Sequence, residues 1–197
     1  MKTVETKVFT FDELSEDAKQ VAIENHRSIN TEMFDWYEPI IEGFRETLPQ
    51  QGFEVDNIFF SGFWSQGDGA MFEYTFNDTI LKKFIDSLDL DSKTKSLAEV
   101  SFMVSGGGSH SGRYYHSNCC SHSFYLESCA PYEDETTELA DHYQDAFEQF
   151  VVELYHNLCD EIYTALEKYY YELQEDEFVI EAIMANDYEF TEDGQRW

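Results

Sequence analysis

Apolar and polar positions change period several times along the chain, and each change marks an expected element. Thr6 to Phe11 alternates around Val8 and predicts a short strand. Ser15 precedes Glu16 and Asp17, so its hydroxyl can cap a helix whose positive end the two acids complement. Ala18, Val21, Ala22 and Asn25 carry that helix to about Arg27. A second helix is expected from Asn30 or Thr31. Phe34, Tyr37, Ile40, Ile41, Phe44 and Leu48 share one face of it, and Pro49 and Gly52 close it. Phe53 to Phe60 then reads as a strand. It leads into Phe59-Phe60-Ser61-Gly62-Phe63-Trp64-Ser65-Gln66-Gly67-Asp68-Gly69-Ala70, a hairpin around a Gly-Asp-Gly tip where Gly67 and Gly69 can take positive φ. In its second arm Ala70, Phe72, Tyr74 and Phe76 fall on one face, with Met71, Glu73 and Thr75 on the other.

Beyond the hairpin, Asp78 is the expected cap of a short helix carrying Ile80, Leu81, Phe84, Ile85 and Leu88. Lys93-Thr94-Lys95 reads as a connection and Leu97 to Val104 as a strand. Gly106 to Gly112 reads as a flexible turn and Tyr114 to Cys129 as a long strand or bent pair. The clearest helix is Glu135 to Glu172, set off by Pro131. Leu139, Tyr143, Phe147, Phe150, Leu154 and Leu158 step by three or four along it. Ile162, Leu166 and Tyr169 continue out of phase, which predicts a bend or break between Asn157 and Glu167. Phe178 to Ala185 is a last short helix, and residues 188–197 form a terminal hairpin around Glu192-Asp193-Gly194. Strands joined by hairpin-length turns between helical blocks give an α+β fold: an antiparallel sheet of about four or five strands with helices on one face. A single domain is expected, with the helix pair and sheet in 1–130 and the long helical element and terminal hairpin in 131–197.

Charge changes the picture more than composition does. The 197 residues hold 41 acids and 12 Lys plus Arg, a net charge of -29. The 17 Phe, 13 Tyr and 3 Trp exclude a disordered acidic tail. A field of this sign repels nucleic acid and anionic membrane and favours a partner with a basic surface. No apolar run reaches the ~18 residues of a membrane span, and the N-terminal residues lack the apolar core of a signal peptide. Four cysteines with no sign of secretion are expected as reduced thiols.

Three constellations carry candidate chemistry. His116, Cys119, Cys120, His122 and Cys129 lie close in sequence, and His116, Cys120 and His122 share one face of a strand. They are the candidate metal ligands, with His110 as a further donor. The Cys-x-x-Cys spacing of structural zinc is missing, so no metal or other cofactor is expected, and buried thiols among strand histidines are the competing reading. Gly106 to Gly112 lacks the Lys-Ser/Thr and helix of a phosphate loop. Ser109, His110 and Ser111 have no orienting carboxylate, and Asp86, Asp89 and Asp91 do not fit a calcium loop.

The third constellation is acidic. Asp134, Glu138, Asp141, Asp145 and Glu148 follow helical rhythm nearly opposite the apolar stripe. Neighbours on such a face lie about 5–6 Å apart at Cβ, comparable to phosphates along a DNA strand. The row can present charge as a nucleic-acid mimic, with Trp64, Gln66 and Asp68 at the hairpin tip as specific contacts. A solvated helix face and halophilic adaptation are the competing readings of the same acids.

Three stretches also resemble an uncharacterised family of acidic proteins encoded by bacteriophages and prophages. They are Phe9-Thr10-Phe11-Asp12-Glu13-Leu14-Ser15 with Ala18-Lys19, the Phe60 to Ala70 block, and Ala185 to Gly194. The resemblance implies a phage origin, action in the host cytoplasm and no catalytic residue to carry over. By analogy with acidic phage proteins of this size, it implies an anti-defence role: inhibition of a nuclease, restriction or CRISPR-type defence component through protein–protein interaction, with oligomeric state left open. A metal-dependent or hydrolytic enzyme built on the His/Cys cluster is the alternative, and an acidic structural or regulatory phage protein the third reading.

Overall fold

The computed structural model describes residues 5–33, 35–129 and 134–197, with only the backbone at Asp134. Phe34, Pro131 and the Asp134 side chain, all part of the expectations above, lie outside the described residues. The protein is α+β. Its strands are β1 (Phe9–Thr10), β2 (Phe53–Phe60), β3 (Ala70–Phe76), β4 (Phe102–His110), β5 (Cys120–Ser128) and β6 (Glu189–Phe190). Its helices are α1 (Glu16–Asn25), α2 (Glu38–Gln51), α3 (Asp78–Ser87), α4 (Ser92–Ser101), α5 (Asp134–Glu172) and α6 (Asp176–Ala185). β2-β3-β4-β5 form one antiparallel sheet and β1-β6 a two-stranded one. The chain divides into two compact units, one of Met1–Pro39 with Leu166–Trp197 and the other of Ile40–Ala165. α5 does not break. The segment between Asn157 and Glu167 where the change of phase is predicted stays helical and includes the boundary between the two units at Leu166.

The smaller unit joins the chain's two ends. Phe9 pairs with Phe190, and Phe11, Leu14, Ala22, Ile23, Val179, Ile183 and Phe190 make its core. Ser15 caps α1 as its chemistry predicts, its hydroxyl accepting the Ala18 N–H at 3.3 Å. No helix forms at Asn30 or Thr31. Residues 26–32 make successive turns in which Thr31 Oγ1 donates to Ser28 O and Asn30 Nδ2 donates to the carbonyls of Leu173 and Phe178. Side chains that bond backbone so readily compete with a helical ladder.

In the larger unit Phe72 and Tyr74 meet Tyr155 of α5, Phe76 and Phe124 meet Phe147, Phe53 packs on Phe72, and Phe84 of α3 packs on Phe147 and Phe150. The opposite sheet face exposes Thr75, Ser121, Ser123, Tyr125 and Glu127. Met71 is nonetheless fully buried; Phe59, opposite it in register, stacks on Tyr115 at 5.1 Å. Glutamine closes the sheet edge: Gln144 of α5 accepts from Leu126 N at 2.7 Å and donates to Phe124 O at 3.4 Å, a helix side chain satisfying an edge strand.

Four local expectations are corrected. Asn77, not Asp78, caps α3, its side chain accepting from Thr79 N at 2.9 Å. Lys93 to Lys95 belong to α4, capped by Asp91 through the N–H groups of Lys93 and Thr94; the following strand starts only at Phe102. Gly106 to Gly108 lie inside β4, and β5 begins at Cys120 after a short 3-10 turn over Ser117–Cys119. Gly67 and Gly69 do not have positive φ; among the glycines only Gly52, Gly106, Gly112 and Gly194 do.

Candidate functional site

The acidic row is held by a helix whose buried side is fixed by the sheet. Ala140, Phe147, Val151 and Tyr155 of α5 are buried, and Glu138, Asp141, Asp145 and Glu148 are all exposed. Lys19 pairs with Glu16, Arg27 with Glu24 and Asp176, Arg45 with Glu42 and Lys95 with Asp86; none of these ion pairs involves the row. Glu148 also borders a hollow of about 140 Å³ shared with His122, Ser123, Phe124 and Tyr125.

The 61–69 loop between β2 and β3 presents Trp64, which is 70% exposed, and an exposed Gln66. Asp68 does not share that exposure. Its carboxylate accepts the N–H groups of Ser65 at 2.7 Å and Trp64 at 2.9 Å, and these bonds hold its pKa below the ordinary carboxylate range. Asp68 is thus the staple of the loop. Ser61 N donates to Gly69 O at 3.0 Å and Gly69 N to Ser61 Oγ at 3.1 Å, while the Tyr163 hydroxyl of α5 donates to Gly62 O at 3.2 Å. Gly69 matters for space: a Cβ there would lie 2.8 Å from the His116 ring, with no such obstacle at Gly67.

Of the histidine and cysteine cluster only Cys120 is buried; His116, Cys119 and His122 are half-buried and Cys129 is exposed. His122 Nδ1 is 2.8 Å from the Tyr74 hydroxyl and 3.9 Å from Cys120 Sγ, and its ring lies 4.9 Å from that of Tyr155. Burial pushes the Tyr74, Tyr155 and Cys120 pKa values up, that of Cys159 to about 12, and that of His122 down. An uncharged phenol and an uncharged imidazole therefore share this hydrogen bond. His116 faces elsewhere, its Nδ1 accepting from Asn118 N at 3.1 Å. Among the described residues no group of three or more His, Cys, Asp or Glu is placed to hold a metal ion. The sequence reading missed Ser117, buried at 4% exposure, with its hydroxyl 3.0 Å from His156 Nδ1 and 3.4 Å from His116 Nδ1. His156 lies far along the chain on α5, so spacing carried no signal for this pair.

The histidine cluster gives a pH prediction. His122 is neutral in the fold and has a higher pKa when unfolded, ordinarily about 6.5. Its contribution to stability is present above that pH and is lost as pH falls below it. Its neighbours are Tyr74, Cys120, Tyr155 and, electrostatically, His156. Urea midpoints should fall between pH 7.5 and 5.5 for the wild type and fall less for His122→Gln. Equal slopes would remove His122 from the titration. The carboxylates whose pKa values are lowered by hydrogen bonds, such as Glu73 beside Asn57 and Asp91 beside Thr94, act at lower pH.

No helix among the described residues is long and apolar enough to cross a membrane. No curated protein and no solved structure matches the chain. A family profile matches residues 36–176, which take in the whole sheet unit and all of α5; the chain belongs to the family described as a domain of unknown function (DUF8835).

Proposed function

We propose that the protein is a phage-encoded, non-enzymatic inhibitor that occupies the basic groove of a host nucleic-acid-binding protein. The target class is a nuclease, restriction or CRISPR-type defence component in the host cytoplasm, and α5 serves as the nucleic-acid mimic. One observation carries the reading: Glu138, Asp141, Asp145 and Glu148 stand exposed along one continuous helix, outside every ion pair of the described residues. Like charges at helical spacing destabilise a helix by a few tenths of a kcal/mol per pair, and a basic partner turns that cost into attraction. A hydrolytic reading would rest on Ser117 with His156, and a serine exposed by only 4% offers a substrate little access.

The test begins with a host target, identified by capture from lysate and mass spectrometry. Asp141→Asn, Asp145→Asn and Glu148→Gln together keep shape and remove three charges. At low salt this variant should associate with the purified target about tenfold more slowly, with dissociation changed far less, because steering acts at long range. The difference should vanish near 1 M salt, where screening shortens to ~3 Å. Thermal stability should hold or rise slightly. An unchanged on-rate would reduce the row to a solvated surface, and a stability loss confined to high salt would favour halophilic adaptation.

A further inference from the structure

The acidic row does not end in open helix. Tyr163 follows Asp145 by about five turns of 3.6 residues, so it lies on the same face of α5, ~27 Å further along. It is this tyrosine whose hydroxyl holds the Gly62 carbonyl, and its ring lies 5.4 Å from that of Phe63. The 61–69 loop is therefore seated on α5 at Tyr163, further along the same helix that carries the row.

That loop is fixed before anything binds. Asp68 spends its carboxylate on two backbone N–H groups, Ser61 and Gly69 bond each other twice, and Tyr163 holds the third corner. Gly62 leaves room for the indole: a Cβ there would come within 3.0 Å of Trp64 Cε3 and Cζ3. The ring is thus placed by the loop and still 70% exposed. An aromatic side chain ordered in advance loses little entropy on binding, which is how interface anchors behave.

We infer that Trp64 is the anchor of the interface, a preformed platform for an arginine side chain of a basic protein partner that also covers the α5 row. The inference rests on the acidic reading above. Charge selects the occupant. A second copy of the chain would bring another net charge of -29 against this face, while a basic groove brings the opposite sign. Arginine stacks its flat guanidinium on an indole more readily than a lysine ammonium does. The row then supplies steering and Trp64 supplies contact that salt does not screen.

Nona-arginine and nona-lysine are the probes, equal in charge and ~30 Å long when extended, enough to reach from the row to the loop. With Trp36→Phe and Trp197→Phe, Trp64 is the sole indole reporter. Nona-arginine should change its emission and bind about fivefold more tightly than nona-lysine, as a cation–π contact predicts. Trp64→Ala, with unchanged circular dichroism, should abolish that preference and leave the salt dependence of both peptides intact. Gly62→Ala, which displaces the indole, should reduce the preference. Equal affinities in the wild type, or a preference that survives Trp64→Ala, would overturn the anchor. A preference that persists while the triple α5 variant keeps the wild-type salt dependence would overturn the acidic row and leave the anchor standing.

Discussion

Gly107→Ala should destabilise the protein by more than about 3 kcal/mol, beyond the usual range for a single added methyl group. β3 and β4 pair only at Tyr74 with Gly108 and Thr75 with Gly107. A Cβ on Gly107 would lie 2.0 Å from the Tyr74 carbonyl oxygen, which is backbone of a central strand and cannot swing aside. The glycine on either side is equally constrained. A Cβ on Gly106, at φ +103, meets Ser123 O at 2.1 Å, and one on Gly108 meets the Tyr74 ring at 2.2 Å. For a chain of this length the expected fall in melting temperature is ~10 °C. Gly67→Ala is the control, since nothing lies within 4 Å of its added methyl, and it should change stability by less than ~0.5 kcal/mol. Melting of Gly107→Ala within 2 °C of the control would mean that β3 and β4 are not in backbone contact at Gly107.

The same glycines show where the sequence was readable and where it was not. Gly-Gly-Gly-Ser is a turn signal when only chain order is known. It is equally the signature of a strand passing close to neighbouring backbone, and only the neighbours decide. The α+β class, the β2–β3 pairing, the Ser15 cap and the long helix were legible because each rests on local periodicity or a local hydrogen bond. The α5 stripe was legible in kind but shifted in phase. Phe147 and Leu158 of the stripe are buried and Leu139, Tyr143, Phe150 and Leu154 half-buried, while Thr136, Ala140, Val151 and Tyr155 are sealed inside beside them. A helix that touches the sheet along one line and α3 along another is apolar over a wide arc, so the centre of the arc cannot be read from hydrophobicity alone.

At the candidate site, the exposure of Trp64, Gln66 and the acids from Glu138 to Glu148 followed from pattern. The inward role of Asp68 did not, because an aspartate stapling its own loop and one facing a partner look alike in sequence. The two tyrosines that organise the histidine cluster were also hidden. Tyr74 and Tyr155 come together only when α5 lies on the sheet, and nothing in their spacing announces it.

Tyr155→Phe tests that organisation, and its cost should be polar. The ring is fully buried against Phe72 at 4.6 Å, Tyr74 at 5.4 Å and His122 at 4.9 Å, and phenylalanine keeps those contacts. What disappears is a hydroxyl that accepts from Phe72 N at 3.3 Å and donates to Phe72 O at 3.1 Å. β4 pairs with β3 only at residues 74 and 75, so at Phe72 the helix side chain stands in for the missing strand. Without it a buried donor and a buried acceptor lose their partner at about 1–3 kcal/mol each, for a loss of roughly 2–6 kcal/mol. Tyr155→Leu adds a cavity and should cost more. Hydrogen exchange separates this cause from general loosening. In Tyr155→Phe the Phe72 amide should lose more protection than the change in global stability accounts for, with the Tyr74 amide following the global value. Equal losses at both amides would mean that the hydroxyl supports the fold as a whole and does not serve Phe72 in particular. An unchanged melting temperature would mean that another group, such as the nearby Cys120 or Cys159 thiol, takes over the Phe72 backbone when the hydroxyl is gone.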